Sequence, residues 1–516
     1  MNTNYNISKI LAGAVCAGAT LFAMPACTDG FQEDNRPGNK LSIDELKRDN
    51  YITSSFIVQM ANEAFPEQEN TYQMNEDLIG NYLGRYMTYA NDGFAEKNFA
   101  KFNAPNGWVR YPFKDSMPKT VSAFNEIKRL TKGDGVMYAW ALILKSANFL
   151  RYTDMYGPLP IGADPKNPNA YSSQEDVYKA IIKDLNSATE VIKGQLITNP
   201  NLTVAAEQDK VYGGKMAKWL KYANSLKLRI AIRISGVAPQ MAKELGEQAV
   251  ADGVIEKNED NLEIAYNPNG QWKTSVEWGD SRACADIESY MYGYGDPRLS
   301  KYFSNTKTKG KRPIIGCRAG AKIGNKKIAG ESYSAANVTQ LTKGVWMTAA
   351  EMAFCKAEGA MLNWKMGDTP ENLYNLGIKL SFDQWGAANV DNYINDATKT
   401  MASYEDADIN YGGSAGAVSN ITIKWEAGND AANKERLAVQ KWIAMFPDGQ
   451  EGWNEIRRTG YPKVFPVAQS TGSVLNVPNR IPFDQEESVQ NKDNYLKAVQ
   501  LLKGNDDYTT KMWWQK

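Results

Sequence analysis

Histidine is absent from all 516 residues. That absence removes the Ser-His-Asp triad, imidazole general bases and His-ligated zinc from the chemistry open to the chain. Cysteine is scarce. Cys16 and Cys27 lie near the start, which leaves Cys284, Cys317 and Cys355 for the body. Three thiols close at most one disulfide, so no disulfide framework holds the fold. Charge of one sign is missing too, with 59 basic and 59 acidic side chains. Nucleic acid and anionic membrane surfaces, which call for a positive excess, are therefore not expected partners. Beyond residue 24 no long uncharged apolar run occurs, so no spanning helix of ~20 residues is expected there. No G-x-x-x-x-G-K-[ST] loop and no dinucleotide fingerprint is found, and no cofactor is expected.

What is present begins with an export signal. Lys9 precedes an apolar stretch at residues 10–24, followed by Pro25, Ala26 and Cys27. This is the layout of a cleaved signal peptide over residues 1–26, with Cys27 placed to become the lipid-bearing first residue. Cleavage before Cys16 would leave an apolar run of only a few residues. Residues 27–40 are polar, with Asp29, Gly30, Glu33, Asp34, Pro37 and Gly38, and read as a tether with a reach of at most ~50 Å. A multiply acylated cysteine would anchor such a tether stably. Residues 41–516 then form one domain. At 43% hydrophobic and 23% charged residues its composition is that of a globular body large enough to bury a core.

Helical periodicity dominates that body. VMYAWALILKSANFL at residues 136–150 is apolar nearly all round, which places it inside, and residues 121–130 precede it as a shorter helix before Gly133 and Gly135. Ser173 with Asp176 opens a helix to residue 193 in N-cap fashion. Residues 215–235 carry Met216, Trp219, Ala223, Leu226 and Ile230 at helical spacing, with Lys215, Lys218 and Lys221 on the solvated side. A helix is expected over residues 345–364, where Ala349, Ala353, Ala357 and Ala360 form a line of small side chains that admits a close neighbour, residues 370–386. Several such hairpins predict a mainly α fold of irregular tetratricopeptide-like units, without a strict 34-residue period. Long polar stretches at 88–119, 258–278, 302–344 and 391–429 are expected to be inserted loops that build the working face.

Few residues invite catalysis. Gly412, Ser414 and Gly416 match G-x-S-x-G, but without an imidazole to accept the serine proton the match is accidental. Asp406, Asp408 and Asn410 resemble the start of a calcium loop, yet Tyr411 and Ala417 replace its glycine and glutamate, so calcium is possible and not predicted. No metal site is expected. Glycoside hydrolysis by two carboxylates remains the enzyme alternative. Aromatic loops offer binding instead, because Trp and Tyr stack on sugar rings while amides and guanidiniums fix orientation. Asn106, Trp108, Arg110 and Tyr111 combine these groups in one expected loop, and Trp272 and Trp278 around Lys273 and Glu277 form a second cluster. For both, packing into the core is the competing role. Asp77, Asn81 and Arg85, at spacings of four on an expected helix, either supply polar contacts or form a solvated face.

Four blocks then carry a resemblance: TDMYGPLP at 153–160, DPRLSKYF at 296–303, AEMAFCKAEGAMLNW with LYNLGIKLSFDQWG, and KWIAMFPDGQEGWNEIRRTGYPKVFP near the C-terminus. In this order they resemble the SusD/RagB nutrient-binding outer-membrane lipoproteins, in their SusD-like branch. The resemblance covers nearly the whole mature chain. It implies a SusD-like helical fold and a non-enzymatic surface lipoprotein that captures glycan or peptide and delivers it to a SusC-type TonB-dependent outer-membrane transporter. Asp29, Glu33 and Asp34 after the lipidated cysteine resemble a surface-export signal. Within the last block, Arg457 and Arg458 near a helix end, Gly460 and Pro462 read as a helix stop, so that block is expected to bear the fold.

Overall fold

The computed structural model describes residues 51–307, 312–469 and 475–515. All of them fall in one compact unit, Asp49–Lys516. The signal, Cys27 and the tether lie outside the described residues. Eleven helices of more than ten residues are described: α1 Tyr51–Ala64, α2 Met117–Thr131, α3 Gly135–Tyr156, α4 Gln174–Thr198, α5 Met216–Ile234, α6 Pro239–Asp252, α7 Ala349–Met361, α8 Pro370–Gln384, α9 Asp430–Ala444, α10 Gly449–Thr459 and α11 Lys492–Leu502. Among the described residues the strands are six short pieces forming three two-stranded sheets.

Helices adjacent in sequence pack on one another: α2 with α3, α3 with α4, α5 with α6, and α7 with α8. The turns between them follow from local chemistry. Lys132 and Gly133 take left-handed φ values of 56° and 72° where α2 gives way to α3. Ser173 Oγ accepts the Asp176 backbone N–H at 3.1 Å, as the capping residues predict. The central helix α3 is buried along nearly its whole length, as its all-round apolar sequence requires. Against α7, Gly377 of α8 admits the Phe354 ring, which a Cβ there would meet at 2.8 Å.

One expected boundary is wrong. Val345 and Trp346 belong to the strand Gly344–Met347, which pairs antiparallel with Leu262–Ile264, and the helix starts only after Thr348, whose side chain accepts the Glu351 N–H. A four-residue strand followed by an alanine-rich helix has the same apolar spacing as one longer helix.

Charge is buried at the centre. Arg229 of α5 grips Glu351 of α7 with Nε to Oε1 at 2.6 Å and Nη2 to Oε2 at 2.7 Å. One turn on, Arg233 bridges Asp154 of α3 and Glu451 of α10. Arg458 of α10 is bidentate to Glu358 of α7 at 2.6 and 2.8 Å. Gly460 closes α10 in the left-handed conformation at φ 77°, as expected. The two arginines before it, however, are far from merely solvated dipole partners: Arg457 lies over Trp453 at 3.5 Å and donates to the Asn479 carbonyl at 2.7 Å. Cys284, Cys317 and Cys355 are buried free thiols.

Candidate functional site

After α1 the chain winds as a π-helix over Gln73–Asn81. Its extra residue per turn takes side chains off the 3.6 spacing. Asp77 and Asn81 are 0% exposed and Arg85 1%, so the expected solvated or ligand-contacting row is interior, a correction to the sequence expectation. The cause is a very close crossing with the start of α10. A Cβ on Gly84 would sit 2.2 Å from the Gly449 carbonyl, and one on Gly449 2.4 Å from Asn81 N. Glu76 Oε1 accepts the Gly449 N–H at 2.6 Å across this crossing. Asn81 donates to the Tyr72 hydroxyl at 3.0 Å, and Arg85 donates to the Asn476 carbonyl.

The following strand, Met87–Tyr89, pairs antiparallel with Ser281–Ala283 and so brings the loop after residue 89 beside residues 272–280. Asp280 fastens this junction. Its Oδ2 accepts from Gln73 Nε2 at 3.0 Å and its Oδ1 from Asn91 Nδ2 at 2.8 Å and from Lys326 Nζ, while its carbonyl accepts the Ala90 N–H at 2.7 Å. Three distant segments are thereby held next to Trp278. That tryptophan and Trp272 flank a second π-helical piece, Trp272–Glu277, which turns Thr274 and Ser275 inward. Both indoles are half-buried, and among the described residues neither joins the hydrophobic core, so the core-packing alternative does not hold for them. Lys273 lies between them, with Nζ 3.1 Å from Glu69 Oε2 and 2.6 Å from Glu277 Oε2, and 5.8 Å from the Trp278 ring centroid.

The other nominated cluster divides. Residues Asn106–Tyr111 form a short helix running on through a π-helical Pro112–Ser116 into α2, where a loop was expected. Pro105 sets the entry with φ −58°, and Val109 is the side chain of this helix that is buried. Asn106 Nδ2 donates to Asp484 at 3.0 Å and Arg110 pairs with Glu486 at 2.7 Å, so these two fasten the C-terminal segment. Tyr111 is half-buried. Trp108 is half-buried against the core, edge-on to Phe94 at 5.0 Å and stacked on Phe99 at 6.5 Å. Phe94 is three residues beyond Asn91. Trp108 thus braces the loop whose Asn91 reaches Asp280, two residues after Trp278 in the chain. Asn91, Asp280 and Lys326 went unnoticed in the sequence, since only the long-range strand pairing brings them together.

The loop at 404–415 is organised around Asp406. Asp406 accepts five donors: the Tyr333 hydroxyl at 2.8 Å, the Tyr404 hydroxyl at 2.7 Å, and the backbone N–H groups of Ala407, Gly412 and Gly413 at 2.9, 2.8 and 2.7 Å. Its carboxylate organises the turn that contains Ser414. Among the described residues no group of three His, Cys, Asp or Glu side chains is placed to hold a metal ion.

Beneath the face lie carboxyls that favour the protonated form. Burial pushes Asp77 up to about 8, against the Ser281 and Thr274 hydroxyls that favour its charge and with the Asp280 charge adding to the rise. Burial likewise raises Glu67 to about 8, against the Gly270 N–H at 3.2 Å and the Trp346 indole N–H at 3.1 Å that favour its charge. Such groups bind more protons folded than unfolded, so stability falls as pH rises from about 4 to about 8. We expect a lower thermal midpoint at about pH 8.5 than at about pH 5.5, and a smaller gap in Asp77→Asn. A midpoint that holds steady or rises across that window would contradict the protonated assignment.

The scaffold is that of a mainly α protein in which Trp272 and Trp278 are half-buried outside the hydrophobic core. The chain belongs to the SusD-like family, described as Susd and RagB outer membrane lipoprotein, whose model matches residues 33–515. Its fold is similar to a SusD homologue from Bacteroides thetaiotaomicron VPI-5482, at 34% identity and TM-score 0.84 over 90% of this chain and 98% of that one. A SusD homologue from Bacteroides uniformis ATCC 8492 matches with 34% identity and TM-score 0.84, over 90% and 99% of the two chains. A chitin-binding SusD homologue from Flavobacterium johnsoniae matches with 33% identity and TM-score 0.83, over 90% and 98%. No curated protein sequence matches the chain. No helix among the described residues is long and apolar enough to cross a membrane.

Proposed function

We infer that the protein is a lipid-anchored receptor on the cell exterior that captures a glycan and passes it, unmodified, to a SusC-type TonB-dependent transporter. The observation that carries this reading is the pair of half-buried indoles, Trp272 and Trp278, held outside the core beside a saturated polar junction at Asp280. Flat aromatic faces take the C–H side of a sugar ring while neighbouring amides take its hydroxyls. Carboxylates at the face are already engaged, Asp280 by three side-chain donors and Glu69 and Glu277 by Lys273, which favours binding over acid–base chemistry. Chitin is the first ligand to try, since a relative sharing 33% of residues binds it. Peptide is the second class in the panel.

The delivery half of the reading is tested by extracting the lipoprotein from outer membranes in mild detergent. A large β-barrel transporter should copurify with the wild-type chain, and Cys27→Ser should leave the protein out of the membrane fraction. Recovery of the lipoprotein alone under conditions that preserve known barrel complexes would remove the transporter from the account.

A further inference from the structure

A cleft that shares no lining residue with the Trp272 and Trp278 segment adjoins the C-terminal residues. The turn at Gly157 and Pro158, the first turn of α4, the end of α11 and residues 510–513 enclose an open cleft of about 380 Å³. That volume falls in the lower part of the ~300–1,000 Å³ typical of small-molecule clefts. Its aromatic wall is fixed by the adjacent pair Trp513-Trp514. Trp514 is 1% exposed and its indole N–H donates to Asp154 Oδ1 at 2.9 Å, so the core anchors it. Its neighbour Trp513 packs one side against the core and, half-buried, lines the cleft with the rest of its indole. Tyr178 supports that ring at 5.6 Å, and Gln174 Oε1 accepts the Trp513 backbone N–H at 2.8 Å, so the indole is preorganised. Leu502 and Met512 extend the apolar wall, while Glu175, Lys503 and Thr510 provide polar groups on the rim.

A flat ring beside mixed donors and acceptors matches an amphipathic ring better than it matches the obvious alternatives. An inorganic anion would leave the indole without a partner, and an aliphatic tail would leave the rim unpaired. We propose that this cleft is a second glycan contact, taking a mono- or disaccharide unit stacked on Trp513. It rests on the glycan-capture reading and shares no residue with the Trp272 and Trp278 face. Two contacts on one body would let a longer chain be held at both, raising its apparent affinity without new interactions at either.

The test titrates the protein with N,N′-diacetylchitobiose, maltose and cellobiose by calorimetry and ligand-observed NMR, in wild type, Trp278→Ala, Trp513→Ala and Leu501→Arg. Leu501 is 37% exposed at the lip, so its substitution blocks the cleft without touching the core. The proposal expects two sites for at least one sugar. Trp278→Ala should weaken one, and Trp513→Ala and Leu501→Arg the other by about tenfold, or ~1.4 kcal/mol. A single site, lost in Trp278→Ala and unchanged in both cleft variants, would overturn the cleft and leave the capture reading standing. Absence of binding to every glycan would sink the capture reading and the cleft together. Thermal melts keep a misfolded Trp513→Ala from counting, since Leu501→Arg carries the same expectation.

Discussion

Arg233→Ala lowers the free energy of unfolding by about 3–5 kcal/mol, the cost of leaving a buried charge without its partner. The guanidinium, 5% exposed, joins Asp154 of α3 to Glu451 of α10 and faces the Trp514 ring at 5.8 Å. Asp154 has other donors, the Tyr178 hydroxyl at 2.6 Å, the Trp514 indole at 2.9 Å and the Asn454 amide at 3.3 Å; the amide also reaches Glu451 at 3.1 Å, but it carries no charge. Burial alone would raise Glu451, and the guanidiniums of Arg229 and Arg233 instead hold it at about 2. Its ionisation therefore contributes stability above its unfolded pKa that is lost as pH falls toward 2. Without Arg233 that contribution shrinks and two carboxylates are left in the interior. Urea unfolding of the wild type and variant at neutral pH measures the difference. A change under 1 kcal/mol would mean that water or relaxation solvates the two acids and that the network is not the centre of the fold.

Trp278→Ala lowers glycan affinity by about 30-fold, the ~2 kcal/mol that truncating a central aromatic contact costs. The fold should survive, because the ring lies outside the hydrophobic core. Trp108→Ala behaves differently. It removes the brace between Phe94 and Phe99, so its loss of binding should come with a lower thermal midpoint. Unchanged affinity in Trp278→Ala, with a clear loss in Trp108→Ala, would move the ligand from the 272–278 segment to the loop at 91–108.

The helical hairpins were legible because their signals are local. Ser173 caps, Gly133 turns and the apolar stripes repeat within one or two turns of where they act. Three things were not legible. The π-helix at Gln73–Asn81 differs from an α-helix by one residue per turn, which composition does not register, and so Asp77 and Asn81 looked like a surface row. Strand Gly344–Met347 is too short to show alternation against the helix behind it. The Asp280 junction and the Asp154–Arg233–Glu451 bridge join residues 46 to 218 positions apart, and each partner taken alone reads as an ordinary exposed polar or charged side chain. The C-terminal block was correctly read as bearing the fold, but its mechanism is a buried ionic network more than a helix stop.

Calorimetric titration of the lipid-free body, residues 41–516, with chitin oligosaccharides and a wider glycan panel, each mixture afterwards analysed for products, decides whether the protein captures glycan without chemistry. The account predicts saturable binding to one glycan class, weakened by Trp278→Ala, with the oligosaccharide recovered intact. Shortened oligosaccharides, or no heat from any glycan in the panel, would contradict it.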